Sequence, residues 1–285
     1  MTGELLNCIS NDGNVKHNEE TAVIPYFSLP GIPLPGGVLP ASQLLVAIAL
    51  LVGYQVYVSK VAGRGAEVGP AQWFFITAMA SGFVGAHVAK LVVYEPGALI
   101  ENPLRLFTMF AGLSSFGGFA GATIGGWLFK RAQRISDWNI ATYADSAIYA
   151  APFGWTFGRA GCAVAHEHLG KLSNHWLAVQ YPDGARWNLG LLEMLFVATI
   201  AVVFWILNRR PRPIGFFPAL YCFSYGAFRF WMDSLQEKGV GPEWLTVDRL
   251  GSVVVVGFGC IAVLKVRKLR KLGGLPWVQE TTGRM

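Results

Sequence analysis

Two arginines are embedded in apolar stretches of this chain. Arg159 lies in Phe157-Gly158-Arg159-Ala160-Gly161-Cys162, and Arg229 in Phe228-Arg229-Phe230-Trp231-Met232-Asp233. A guanidinium in hydrocarbon is costly unless it is paired, hydrated or bound to an anion. An arginine that only anchors a helix snorkels to the headgroup layer. Gly158 and Gly161 argue for more, because they bare the backbone and let another chain or a ligand come close. Two guanidinium forks at one depth suit a phosphodiester, which each can grip through parallel hydrogen bonds. Asp233, four residues beyond Arg229, can pair with it on one helix face.

Other ionisable residues could move protons. Glu167 sits between His166 and His168, where the apolar run around Arg159 ends, and is placed to act as an acid or base. As a metal set His-Glu-His is weak, because adjacent side chains point apart and no further ligands cluster nearby. The two histidines read as interfacial residues without chemistry. His87, in an earlier run, is a functional candidate as an intramembrane ionisable group, and Lys90 beside it reads as a snorkelling residue. Glu193, about a turn into the fifth run, is expected to face the bundle and pair with an arginine in a structural role.

These residues need membrane helices to hold them. Of 285 residues 53% are hydrophobic and only 14% charged, where a soluble domain carries about 25%. The net charge of +6 is spread over short loops, which argues against nucleic acid as a partner. Cys8, Cys162, Cys222 and Cys260 show no paired spacing, so neither a disulfide framework nor a zinc site is expected. Seven apolar runs, at 40–58, 72–93, 106–129, 142–165, 189–207, 214–232 and 250–266, are near the length of spanning helices. The expected fold is an all-α polytopic membrane protein with seven transmembrane helices. It divides into an N-terminal arm at 1–38, polar and then rich in Pro and Gly, the seven-helix domain at 39–268, and a basic tail at 269–285. The arm shows no ordinary signal peptide and is expected to be irregular.

Lysine and arginine set the orientation. Lys60, Arg64, Lys130, Arg131, Arg134, Arg209, Arg210, Arg212, Lys265, Arg267, Lys268, Arg270, Lys271 and Arg284 fall on one side of the alternating loops. Lys16, Arg105, Lys171, Arg186, Lys238 and Arg249 fall on the other, a ratio of 14 to 6. The positive-inside rule then puts the C-terminus in the cytoplasm and the N-terminus outside, with the loop after Arg159 on the outer face. In the third run Gly117, Gly121 and Gly125 share one helix face and are expected to pack closely against a neighbour. The same run opens Gly112-Leu113-Ser114-Ser115-Phe116-Gly117-Gly118, and the hydroxyls of Ser114 and Ser115 beside Gly117 and Gly118 could equally belong to a headgroup pocket.

In this order the residues resemble the prolipoprotein diacylglyceryl transferase family. The match centres on Gly158-Arg159-Ala160-Gly161-Cys162 with Glu167 and Gly170 downstream. It extends to Asn102-Pro103-Leu104, Ser114, Gly117 and Gly118, to Asp145 and Pro152, to Arg186 through Glu193, and to Phe228-Arg229 with Asp233. It covers roughly residues 39–268. The resemblance implies a multi-pass protein of the bacterial plasma (inner) membrane. The implied reaction moves diacylglyceryl from phosphatidylglycerol to the lipobox cysteine thiol of a preprolipoprotein, with no cofactor and no metal. It implies catalytic roles for Arg159, Arg229, Glu167 and His87. Substrate contacts are implied at Arg159, Cys162, Gly170, Ser114, Gly117, Gly118, Asp233 and Glu193.

Several positions depart from the family pattern. Phe116 stands where the family has a histidine, His87 where it has an arginine, Val46 and Leu192 where it has tyrosines, and Trp187 where it has a further histidine. The phosphate-gripping half is kept and part of the proton-handling half is not, so His87 or Glu167 is expected to take up proton transfer. An alternative reading is a non-catalytic relative that binds anionic phospholipid or lipoprotein precursor. A transporter is less well supported, because the ionisable residues gather in one half of the bilayer instead of lining a path across it.

Overall fold

The computed structural model describes residues 23–107 except 36, then 113–237 and 246–271. Its helices follow the apolar runs. After a short hairpin, β1 (Ile32–Leu34) and β2 (Gly37–Leu39), come α1 (Ala41–Gly63) and α2 (Val68–Ala89). A π-helical turn (Lys90–Tyr94), α3 (Pro96–Glu101) and a 3-10 turn (Pro103–Phe107) lead to α4 (Ser115–Gln133) and α5 (Asp137–Ala165). Three strands follow, β3 (Leu169–Leu172), β4 (Val179–Tyr181) and β5 (Gly184–Asn188), then α6 (Leu189–Leu207), α7 (Phe216–Asp233) and α8 (Val247–Lys271). Ala41–Gly63, Val68–Tyr94 and Leu189–Leu207 are long and apolar enough to cross a membrane by composition. Large apolar side chains such as Leu51, Trp127, Val202 and Val253 stand exposed along the helices, as a lipid-facing surface requires.

Three sequence expectations are corrected here. The third run becomes α-helix only at Ser115, not at residue 106. Pro103 opens the 3-10 turn, and Ser114 then caps α4 by accepting from the Gly117 amide at 3.4 Å. Gly112 lies outside the described residues. The fold is also not purely α. The segment 166–188 is too polar for a buried helix but long enough to satisfy its own backbone, and it forms an antiparallel sheet in the order β3-β5-β4. Nor is the arm wholly irregular: Ile32–Leu34 pairs with Gly37–Leu39, and Ile24 lies along β4, donating to the Ala178 carbonyl and accepting from the Gln180 amide.

Small residues set the helix spacing. α2 meets α4 where Gly85 faces Gly117 and Gly121; a Cβ on Gly85 would sit 2.6 Å from the Gly117 carbonyl oxygen. The glycine face read from the third run therefore does pack. On α5, Gly161 fits against Ser42 of α1, and Gly190 of α6 fits against Ala163. Those contacts hold α1, α5 and α6 together beside the sheet. At the far end of the bundle Arg64 and Asp145 form a buried ion pair at 2.5 Å. Ser146 and the Gly215 amide add hydrogen bonds, and Lys60 reaches Asn208. This cluster ties the α1–α2 turn to α5 and to the entry into α7.

Candidate functional site

The site forms where α5 ends and α6 begins. Asn188 caps α6 by accepting from the Leu191 amide at 3.0 Å and donates to the Ala163 carbonyl of α5 at 2.9 Å. With Gly190 pressed on Ala163, the first turn of α6 lies beside the last turns of α5. Glu193, one turn into α6, then comes level with Arg159, a little under two turns from the end of α5.

Glu193 is the hub. Its carboxylate accepts from Arg159 Nε at 3.0 Å and from the Tyr225 hydroxyl at 3.0 Å, and Arg229 Nη1 approaches it at 3.7 Å. The two arginines of separate helices thus converge on one buried carboxylate. Arg159 is also layered over Trp155, with the guanidinium 5.3 Å from the ring, and Trp155 stacks on Phe119. The outer edge of the Arg159 fork meets weaker partners. Nη2 lies 3.4 Å from the Ser115 hydroxyl and Nη1 3.9 Å from Cys162 Sγ. Ser115 opens α4, so the positive end of that helix dipole faces the same edge. A strong bidentate donor beside a helix N-terminus is the arrangement that receives phosphate.

The rim is shaped by how α5 stops. His166 takes a left-handed conformation, with φ of 53°, and the Glu167 amide turns back to the Cys162 carbonyl. The His166 ring is held by the Tyr181 hydroxyl at 2.8 Å and the Phe27 carbonyl at 2.6 Å, and it stacks on Tyr26. That anchoring folds the chain so that one donor atom each of Cys162, Glu167 and His168 lies within 4.8 Å of the others. Desolvation and then Arg159 hold the His168 imidazole below its usual range, Arg229 acting the same way more weakly, while Glu167 and Glu193 oppose the shift. The three donors could approach a metal, but the sulfur already receives a hydrogen bond from Arg159. The trio is better suited to handling protons.

The other residues singled out from the sequence serve packing or stand apart. Asp233 receives Arg249 of α8 at 2.9 Å and the Thr246 hydroxyl at 3.0 Å, so it fastens α7 to α8. Tertiary packing supplies it with a partner from another helix, in addition to the Arg229 that the sequence pattern offers on its own helix. Gly170 is buried against Leu235, where a Cβ would come 2.7 Å from that carbonyl oxygen, and it seats the sheet on the end of α7. Arg186 clamps the same corner, bonding Asp183 at 2.7 Å and Glu237 at 3.0 Å. Ser114 and Gly117 join α4 to α2, the Ser114 amide donating to the Ala86 carbonyl, and Gly118 lies in ordinary contact with Ala86. His87 is buried on α2. Its Nε2 faces the carbonyls of Arg105 and Leu106, and its Nδ1 has no hydrogen-bond partner among the described residues. Phe116 presses its ring on Gly251 of α8.

Residues 43–265 match the sequence model of the family described as Prolipoprotein diacylglyceryl transferase. The chain belongs to that family. It is 28% identical over 207 residues to the phosphatidylglycerol–prolipoprotein diacylglyceryl transferase of Aliivibrio fischeri strain ATCC 700601 / ES114, covering 70% of this chain and 74% of the relative. The protein of the same name from Solidesulfovibrio magneticus is 31% identical, over 62% of this chain and 70% of that one. The Hydrogenovibrio crunogenus protein of that name is 25% identical over 76% and 86%. The family is membrane-embedded, in keeping with the apolar helices. Sequence reading missed Tyr225 and Trp155 as site residues, whereas Ser115 belongs to the hydroxyl pair read there as part of a headgroup pocket. Tyr225 had a legible signal, since it precedes Arg229 by four residues and shares its helix face. Trp155 likewise precedes Arg159 by four.

Proposed function

We propose that this chain transfers the diacylglyceryl group of phosphatidylglycerol to the lipobox cysteine thiol of a preprolipoprotein. The family supports the reaction, and one observation carries the assignment of the site. Among the described residues, the outer edge of the Arg159 fork faces a hydroxyl and a thiol, beside the N-terminus of α4 and a second arginine. An anionic phosphodiester is the ligand that such an edge would hold.

The substrate thiol gives up its proton, and the sulfur attacks the diacylglyceryl carbon that carries the phosphodiester oxygen. The carbon–oxygen bond breaks, a thioether forms, and the electron pair leaves on glycerol phosphate. The leaving group passes from one negative charge to two. Arg159 and Arg229 would stabilise that increase most in the transition state, which is where binding energy accelerates a reaction. Glu193 and Tyr225 hold the arginines in position. Cys162 and Ser115 flank the phosphate, and Gly170 and Asp233 support the walls. Among the residues singled out in the sequence, Glu167 at the rim and His87 on α2 are the groups that could receive the proton.

In this reading all seven long helices span the bacterial plasma membrane, with the sheet end outside and the C-terminus in the cytoplasm. The charge asymmetry of the loops supports that orientation. The test is complementation. In a host depleted of its own transferase, this chain should restore a lipid-dependent mass increase on a lipoprotein, and Arg159→Ala should not. A membrane-inserted wild-type chain that restores no increase overturns the assignment. Retained phosphatidylglycerol binding would then mark a non-catalytic relative, for which the apolar Phe116 contact speaks.

A further inference from the structure

Thiol transfer needs a proton acceptor, because the thiolate is the nucleophile and a free cysteine thiol has a pKa of about 8.5. A carboxylate accepts that proton roughly four pH units uphill and an imidazole only about two. Two histidines flank Glu167 at the rim of the arginine cluster. His166 is not available, since both its ring nitrogens are taken by Tyr181 and Phe27. His168 is different. The charged and titratable groups acting on its ring are Arg159 and Cys162 of α5, Glu167 of the same turn, Glu193 of α6 and Arg229 of α7. Those are the residues of the phosphate site itself.

Cys162 marks where a substrate sulfur can come. Its Sγ lies 3.9 Å from Arg159 Nη1 and within 4.8 Å of both the Glu167 carboxylate and the His168 ring. A sulfur at this rim is therefore bracketed by the group that holds the phosphate and by the imidazole.

Resting on the transferase reading above, we infer that His168 is the general base that takes the proton from the lipobox cysteine thiol, with Glu167 beside it to stabilise the imidazolium. The proton moves from sulfur to the ring nitrogen, and the thiolate then forms the carbon–sulfur bond as the carbon–oxygen bond breaks. The imidazolium releases its proton to the departing glycerol phosphate, whose second ionisation lies near that of imidazole. Atoms and charge balance without a further reactant. The ring is exposed at the rim, and desolvation together with the arginines shifts it toward the neutral form, which is the form that accepts.

The experiment uses the full chain in vesicles of phosphatidylglycerol and phosphatidylcholine, with a lipobox peptide as acceptor and transfer rate followed from pH 5 to 9. Because the neutral ring is active and its pKa is lowered, the wild-type rate should hold until the pH falls below the usual imidazole range, and then drop. His168→Gln should slow transfer by about 10²-fold and remove that acid limb, leaving a rate that climbs with pH as the thiol ionises unaided. Phosphatidylglycerol binding should be unchanged, and added imidazole should partly rescue His168→Gly. His175→Gln, on an exposed turn, controls for histidine loss. If wild type transfers and His168→Gln keeps both rate and acid limb, the inference fails. It also fails if His87→Ala is the variant that removes the limb. If wild type shows no transfer at all, the transferase reading itself falls.

Discussion

Helix α5 carries one buried ion cluster towards each of its ends, and the two differ in a way that separates support from function. Asp145 and Arg159 are fourteen positions apart, about 21 Å along the helix. At Asp145 one carboxylate meets one guanidinium, and Ser146 and the Gly215 amide fill the remaining bonds. Both side chains are closed off, with 2% and 1% exposed. At Glu193 two guanidiniums share one carboxylate, and their side chains are 12% and 14% exposed. The first cluster is complete and pins helices together. The second leaves a donor edge facing weak acceptors, and that edge is what a ligand can use.

The comparison can be broken or sharpened by substitution. The largest effect is expected from Arg159→Ala, which should cut transfer by about 10²–10³-fold, measured with labelled phosphatidylglycerol and a lipobox peptide. Arg159→Lys keeps the charge but loses the fork, and should stay at least tenfold down. If either variant were as active as wild type, the two clusters would be equivalent. Glu193→Gln leaves two buried cations without their shared carboxylate and should cost about 3–5 kcal/mol of stability. Thermal unfolding in detergent reads that loss. Adding phosphatidylglycerol should recover part of it, because the lipid phosphate supplies the missing anion.

Asp145→Asn should destabilise by about 3 kcal/mol, and no lipid should recover it. The kcat of the folded fraction should stay within about twofold of wild type, since the proposed phosphate site lies at the other end of α5. A large kcat loss in folded Asp145→Asn would erase the distinction. Tyr225→Phe is the mildest test. It removes a single hydrogen bond to Glu193, worth about 1.5–3 kcal/mol, and should lower activity more than it lowers the unfolding temperature.

Much of this was legible in the sequence. The apolar runs located the long helices, because burying a helix in lipid demands an unbroken apolar stretch and that demand is local. The position of Arg159 within its run, and the loss of apolar character after Ala165, pointed to the candidate site. The third helix shows where such reasoning stops. Its apolar composition continues back to residue 106, but Pro103 and the Ser114 cap make the first part a turn. The sheet between α5 and α6 was hidden because its strands are three to five residues long and only pairing across the loop makes them strands.

By itself, the sequence determined that two guanidiniums are placed inside apolar segments, that a carboxylate and histidines follow the first, and that the chain resembles one enzyme family. Only the tertiary structure decided who pairs with whom. An i to i+4 rule offers Asp233 to Arg229, but no such rule brings Arg249 of α8 to Asp233 or Glu193 of α6 to both Arg159 and Arg229. The physical reason is range. Spacing along a chain fixes neighbours on one helix, whereas the partner of a buried charge is set by how helices dock. Here Gly190 against Ala163, and the left-handed turn at His166, set that docking, and neither contact involves a charged side chain.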